Sequence, residues 1–297
     1  MILVVGSVNI DIFVQVKRLP KRGETLLGSD YAIHPGGKGG NQSVAAARAG
    51  GQVRLVAKTG IDEFADNLLD HLAAEGVDIH AVLRGSRPSG AAFITRFPDG
   101  QNSIIVAPGA NFDLSPTDLD AELFEGAKVV SLQLEIPLET VLHAARLGKE
   151  AGALTMLNLS PASKLEPEQL KDIDLLVVNE TEAAILLDQE DLSPEDAVTQ
   201  LTSLVPMVAM TLGARGACWA AKGRSGTVAA HQVELVDTTG AGDAFAGALA
   251  VSLSEGSDLE TAVRFGVAAG GIAVTREGAQ PSMPRLEEIE ELLGSQA

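Results

Sequence analysis

Apolar positions recur with two different periods along this chain, and the switches between them set out the predicted elements. Ile2-Leu3-Val4-Val5, continuing as alternation to about Val16, predicts strand. A further extended stretch is expected over 24–34. Pro35-Gly36-Gly37-Lys38-Gly39-Gly40-Asn41 then breaks the pattern and leads into an Ala-rich helix over 42–49. Strand 53–58, helix 63–75 and strand 79–83 follow. Residues 91–97 and 103–106 read as strands joined through Pro98-Asp99-Gly100-Gln101-Asn102, a hairpin signal.

From about Lys128 the rhythm becomes regular. Strand 129–134 precedes helix 138–151, and strand 154–158 comes next. Strand 175–178 precedes helix 180–187, and helix 194–205 leads to strand 208–212. Helices over 241–254 and 259–273 and an amphipathic helix over 285–293 close the chain. Such alternation predicts βαβ units, hence an α/β fold with a central, mostly parallel sheet flanked by helices. The hairpin-rich pieces, 12–35 and 91–106, do not fit that rhythm and are expected to form a small projecting sheet. Residues 1–11, 36–90 and 107–297 make up the main domain.

Composition narrows the function. Hydrophobic residues make up 45% of the 297 residues and aromatics only 3%, so Ala, Val, Leu and Gly build the core. That excludes global disorder and argues against a surface of stacking aromatics for nucleic acid. The net charge of -18 would also repel a polyanion. Cys218 is the one cysteine, so no internal disulfide forms, and its apolar run makes it a small core residue. Asn9 and Asp11 interrupt the apolar N-terminus, which has no basic lead and does not read as a signal peptide. No apolar run is long enough to span a bilayer, and a cytoplasmic protein is expected.

The strongest chemical signal is Asp237-Thr238-Thr239-Gly240-Ala241-Gly242-Asp243. Glycine costs a helix about 0.5–1 kcal/mol relative to Ala, so two glycines at a helix mouth need a reason. Bare N–H groups there make an anion site aligned with the helix dipole, and Asp243 stands beside it, able to accept a proton. Gly36-Gly37-Lys38-Gly39-Gly40-Asn41-Gln42 lacks the Walker A spacing, although Lys38 and Asn41 can donate to hydroxyls. Asn9 and Asp11 share one strand face and suit vicinal hydroxyls. Asn179-Glu180-Thr181-Glu182 suits a hydrated Mg²⁺, while helix capping explains Asn179 and Thr181 equally well. A turn, a cap or an exposed strand end accounts for each of the weaker motifs taken alone.

In this order the motifs resemble the ribokinase/PfkB-type carbohydrate kinase family, from Gly6 to Ser282. Gly36–Asn41 followed by Gly50 and Gly60 matches its N-terminal signature, and Asp237–Asp243 its C-terminal one. Leu132-Gln133-Leu134-Glu135, Asn179–Glu182, Thr211-Leu212-Gly213 and the stretch 273–282 agree with it. The resemblance implies a ribokinase-like fold with a β-sheet lid that covers the sugar and joins a homodimer. It implies ATP-dependent transfer to a primary hydroxyl, that of D-ribose first, with 2-deoxyribose, fructose and nucleoside kinases sharing the catalytic run. Sugar contacts fall on Asn9, Asp11, Gly37, Lys38, Asn41, Glu135 and the base Asp243. ATP contacts fall on Asn179, Thr211, Gly213, Gly216 and Gly242, with Glu182 near Mg²⁺. Gly240, Ala241 and Gly242 become the anion hole. A monovalent cation, K⁺, goes to Asp237, Thr239, Ala273, Arg276, Gly278 and Ser282, largely through backbone carbonyls. Val267 and Leu159-Ser160-Pro161 depart from the family pattern near the nucleotide. A non-catalytic sugar-binding protein and an NAD-dependent oxidoreductase remain as other classes, the latter disfavoured because G-x-G-x-x-G does not follow the first strand.

Overall fold

The computed structural model describes residues 1–98 and 102–295. The chain opens with β1 (Ile2–Val5), β2 (Asn9–Gln15), β3 (Ala32–Gly36), α1 (Lys38–Arg48), β4 (Val53–Thr59), α2 (Glu63–Ala74) and β5 (Val82–Arg84). β6 (Gly90–Arg96), β7 (Asn102–Ala107), β8 (Val129–Leu132), α3 (Leu138–Glu150) and β9 (Leu154–Asn158) follow. Then come β10 (Leu175–Asn179), α4 (Glu180–Leu187), α5 (Pro194–Leu201), β11 (Met207–Thr211), β12 (Ala217–Ala221) and β13 (Arg224–Val228). α6 (Ala241–Ser254), α7 (Leu259–Ala273) and α8 (Leu286–Gly294) end the chain.

Among the described residues, nine strands form one sheet in the order β13-β12-β11-β10-β9-β8-β1-β4-β5. Its strands run parallel except for the antiparallel edge β12–β13. One face carries α1, α6 and α7, and the other carries α3, α4 and α5, each over its own buried apolar cluster. The shortage of aromatics has a packing consequence: small residues let helices approach closely. A Cβ on Gly247 of α6 would sit 2.5 Å from the Ala45 Cβ of α1.

Four strands, in the order β3-β2-β6-β7, make the second sheet. The first predicted strand is therefore two. The chain leaves the large sheet after Val5 and enters the small one at Asn9. Gly6 permits the crossing, because a Cβ there would meet the Gln133 side chain at 2.0 Å and the Gly39 Cα at 3.0 Å.

Other boundaries shift for identifiable reasons. α1 begins at Lys38 rather than 42, capped by Gly37 at φ 82°, so the Gly-rich run lies in its first turn. Gly39 is needed there because its Cα lies against the Gly6–Ser7 backbone. The extended stretch expected over 24–34 is strand only from Ala32. β12 and β13 were not foreseen. Ala217–Ala221 is buried on both sides and so shows no alternation, and Arg224–Val228 is mostly exposed and glycine-containing. The turn expected over 98–102 falls largely outside the described residues.

Candidate active site

The chemistry-bearing residues gather where the parallel strands end. Gln133 and Glu135 follow β8, Asn158 ends β9, Asn179 ends β10 and Thr211 ends β11. Carboxyl ends of parallel strands are where open α/β sheets bind ligands.

Asp243 lies in the first turn of α6, whose N-cap Gly240 adopts φ 77°. A Cβ on Gly240 would press on Ala279 at 2.8 Å, so that glycine is required by both conformation and space. The Asp243 side chain is only 7% exposed. Asn41 Nδ2 donates to Oδ2 at 2.9 Å and Gln42 Nε2 donates to Oδ1 at 3.1 Å. These amides are held in turn: Gln280 Nε2 donates to Asn41 Oδ1 at 3.1 Å. Ser131 Oγ and Gln133 Nε2 donate to Gln42 Oε1 at 2.9 and 2.7 Å. A buried carboxylate is thus fixed in orientation by a web of neutral amides, each oxygen keeping a lone pair for a further donor.

Two adjoining clefts meet at this point. The first, about 170 Å³, is lined by Lys38, Asn158, Ser160, Asn179, Glu182, Thr211, Gly240, Gly242 and Asp243. The second, about 340 Å³, is more apolar and is lined by Thr211, Gly213, Gly216, Val233, Ala241, Gly242, Phe245, Val267 and Val274 among others. Gly242 borders both, and beyond its chain neighbours and its own helix backbone no described atom lies within 4 Å of where its Cβ would be. The helix does not need glycine there for packing; the empty space does.

Asn9 and Asp11 are buried at the root of the small sheet, at 2% and 9% exposure. Asn9 Oδ1 accepts from Asn111 Nδ2 at 2.7 Å, and Asn111 also bridges the Val8 backbone at 2.9 and 3.1 Å. Gly36 lies under Asp11, where a Cβ would collide with the carboxylate at 2.3 Å. Glu135 Oε2 accepts from Ser7 Oγ at 2.5 Å and from Lys38 N at 3.1 Å, which ties β8 to the mouth of α1. Burial, with the nearby charges of Glu135 and Asp243, pushes the Asp11 carboxyl up to about 7 against the pull of Lys38. Burial alone would lower the Lys38 ammonium, but the carboxylates of Asp243, Glu135, Glu182 and Asp11 outweigh it and hold Lys38 above the usual lysine range.

Asn179 and Glu182 form a reciprocal cap: Asn179 Oδ1 accepts from Glu182 N and Glu182 Oε2 from Asn179 N, both at 2.8 Å. Capping therefore uses one Glu182 oxygen and leaves the other in the cleft, where burial raises its carboxyl above the usual range. Gly213, at φ 57°, and Gly216, at φ 96°, both hold left-handed backbone that favours glycine; a Cβ has open space at Gly213 but would strike Val228 O at 2.0 Å at Gly216. Cys218 is buried and its thiol is pushed up to about 12, consistent with an inert core residue.

Of the residues expected around a monovalent cation, Asp237, Thr239 and Gly278 meet directly. The Arg276 guanidinium instead turns to Glu288, and the Ser282 hydroxyl donates to Ala279 O at 2.7 Å. At Ala273, Arg276 and Gly278 only backbone carbonyls remain as donors to an ion. Among the described residues no group of three or more His, Cys, Asp or Glu side chains is placed to hold a metal ion. Neutral oxygen donors with a single carboxylate fit a weakly bound monovalent cation better than a tightly gripped divalent one.

Sequence reasoning missed the polar side chains that orient the site: the Gln42, Gln133 and Gln280 amides and the Ser131 hydroxyl around Asp243, and Asn111 beside Asn9. Gln42, Gln133 and Gln280 stood within runs that resemble the family, without a role of their own, and Ser131 showed only as polarity within Val129-Val130-Ser131-Leu132.

The model of the pfkB family of carbohydrate kinases matches residues 1–286. A Bacillus subtilis ribokinase is 40% identical over 296 residues, covering 98% of this chain and 99% of its own. A Salmonella typhi deoxyribokinase is 37% identical over 300 residues, with 98% of each chain covered. The structure of Arabidopsis thaliana ribokinase complexed with ribose and ATP superposes with a TM-score of 0.91 at 34% identity, covering 98% of both chains. With a buried carboxylate at a bare helix mouth, two adjoining clefts and a family match along almost its whole length, the chain belongs to the pfkB family of carbohydrate kinases.

Proposed function

We propose that this protein transfers the γ-phosphoryl group of ATP to the primary hydroxyl of D-ribose, giving ribose 5-phosphate. The observation that carries the reading is Asp243: a buried carboxylate with both oxygens oriented, at a helix mouth where two clefts join. ATP occupies the larger apolar cleft with its base near Val267 and its phosphates toward Thr211 and Gly242, with Asn179, Gly213 and Gly216 shaping the approach. Ribose sits against Asn9, Asp11, Gly37, Lys38, Asn41 and Glu135. Asp243 takes the proton from the attacking hydroxyl. The amides of Gly240, Ala241 and Gly242 stabilise the charge that builds on the migrating group. Glu182 would hold a Mg²⁺ ion through water, and that ion would supply neutralisation of phosphate charge. The Asp237–Thr239 loop, the carbonyls of Ala273, Arg276 and Gly278, and Ser282 would hold K⁺, which would supply order to the anion hole.

The small sheet, 12–35 and 91–106, acts as a lid that excludes water. Its outer face carries Ile33, Ile12, Phe93 and Ile105 in register across the strands. Ile33, Phe93 and Ile105 are 42%, 48% and 69% exposed. A second copy of the chain covers that row in a homodimer. ATP supply sets the reaction in the cytoplasm.

The similar deoxyribokinase supports 2-deoxyribose as the second reading. Coupled ADP release over ribose, 2-deoxyribose, fructose and nucleosides, with K⁺ or a bulky organic cation at constant ionic strength, decides between them. Ribose turned over fastest, and faster with K⁺, is the expected result. A 2-deoxyribose preference would install the second reading, and release with none of them would end the proposal.

Asp11 gives this reading a pH signature. Its folded carboxyl titrates near 7, so below that pH it is protonated and loses acceptor capacity for sugar hydroxyls. Ionisation as the pH rises restores it. The KM for ribose should fall about tenfold between pH 6 and pH 8, and Asp11→Asn should flatten that profile. A flat wild-type profile would detach Asp11 from sugar recognition.

A further inference from the structure

The Asp237 carboxylate has no free acceptor position. An ionised carboxylate offers about four lone-pair sites, and four donors reach this one. Thr239 N and Thr239 Oγ1 donate to Oδ1 at 2.9 and 2.6 Å, while Gly278 N and Arg96 donate to Oδ2 at 3.0 and 3.2 Å. Although burial works against ionisation, these bonds and the Arg96 charge hold the carboxyl below its usual range.

Three of the donors belong to the two loops that shape the site. Arg96 does not: it projects from the end of β6 in the small sheet, its guanidinium carbon 4.5 Å from the centre of the Phe13 ring. It is also the longest contact, the only charged donor, and the more exposed partner, at 38% against 18% for Asp237. A cation that coordinates Asp237 must displace one donor, and Arg96 is the one whose loss leaves both loops intact and the charge balanced.

We infer that Arg96 is a tethered counter-cation for Asp237, competing with a free monovalent cation for the same carboxylate oxygen. This rests on the reading above that a monovalent cation binds at this loop. Arg96 touches no reacting atom; it acts through Asp237, six residues before the base. The consequence is a lowered apparent affinity for K⁺, because each ion must first release the guanidinium. It also links the small sheet to the loop that leads into the anion hole, since the sheet carries the competing charge.

Competition predicts a sign opposite to that of damage. With ADP present, the thermal midpoint of the protein is followed against KCl, with tetramethylammonium chloride holding ionic strength constant, for wild type, Arg96→Met and Arg96→Lys. Met keeps much of the side-chain bulk against Phe13 and removes the charge. Half-maximal stabilisation by K⁺ should come at about two- to fivefold lower concentration in R96M, the range expected of a partly exposed ion pair, while R96K stays near wild type. The same half-saturation in R96M and wild type would overturn the competition and leave the cation reading standing. A weaker K⁺ response in R96M would show that Arg96 builds the site instead, and overturn it too. No response to K⁺ in any of the proteins would remove the cation reading and this inference together.

Discussion

Replacing Asp243 by Asn should lower turnover by about 10²–10⁴-fold, the usual contribution of a positioned base, with ribose and ATP still bound. The substitution is cleaner than it first looks. Asp243 accepts from two amides, Asn41 Nδ2 and Gln42 Nε2, whereas an asparagine side chain can satisfy only one of them and turns its own NH₂ toward the other. The Gln42 amide cannot turn round, because its Oε1 is fixed by Ser131 and Gln133. Asn41 can. Among the described residues its Oδ1 accepts only from Gln280, whose own Oε1 is buried without a partner there. Turning Asn41 and Gln280 together presents an acceptor to the new NH₂ and gives Gln280 Oε1 a donor. Stability should therefore change by less than about 1 kcal/mol, against about 1–3 kcal/mol for a buried polar group left unpaired. ADP-release kinetics with calorimetric binding and denaturant unfolding read all three quantities. Turnover close to wild type would remove Asp243 from the role of base.

The same network marks the limit of what the sequence could tell. The α/β architecture was legible from local sequence: the apolar run Leu175-Leu176-Val177-Val178, stopped by the capping Asn179 ahead of Glu180–Leu187, announces a strand and then a helix without a partner. The run from Asp237 to Asp243 was legible because glycines at a helix mouth break a local rule. What orients Asp243 broke no local rule. Asn41 and Asp243 are 202 residues apart, and Gln280 and Asn41 are 239 apart. An Asn or Gln beside a run of alanines reads like any polar helix position until the fold brings its partner. Arg96 was hidden for the same reason, since nothing near Thr95-Arg96-Phe97 points to a carboxylate 141 residues further on. Glu182 is the reverse case: its position in the first turn of α4, just after β10, suggested a metal, and the capping bond it makes with Asn179 N shows that local structure alone would have kept a carboxylate there.

Gly242→Ala should separate stability from activity in opposite directions. The position lies in the first turn of α6, and beyond its chain neighbours and its own helix backbone nothing described comes within 4 Å of the added methyl. Alanine there gains about 0.5–1 kcal/mol through lower backbone entropy in the unfolded chain, so the variant should unfold at higher denaturant concentration than wild type. The methyl projects into the space bordered by both clefts, in front of N–H groups whose use depends on close approach of a phosphoryl oxygen. Loss of one such donor costs about 10²–10³ in kcat, and that is the expected fall in phosphoryl transfer. ATP binding should weaken far less, because the apolar walls formed by Phe245, Val267 and Val274 are untouched. A carboxylate base alone does not predict this result; the bare amides in front of it do. A more stable Gly242→Ala protein with undiminished turnover would mean that the transferring phosphate never meets this helix mouth.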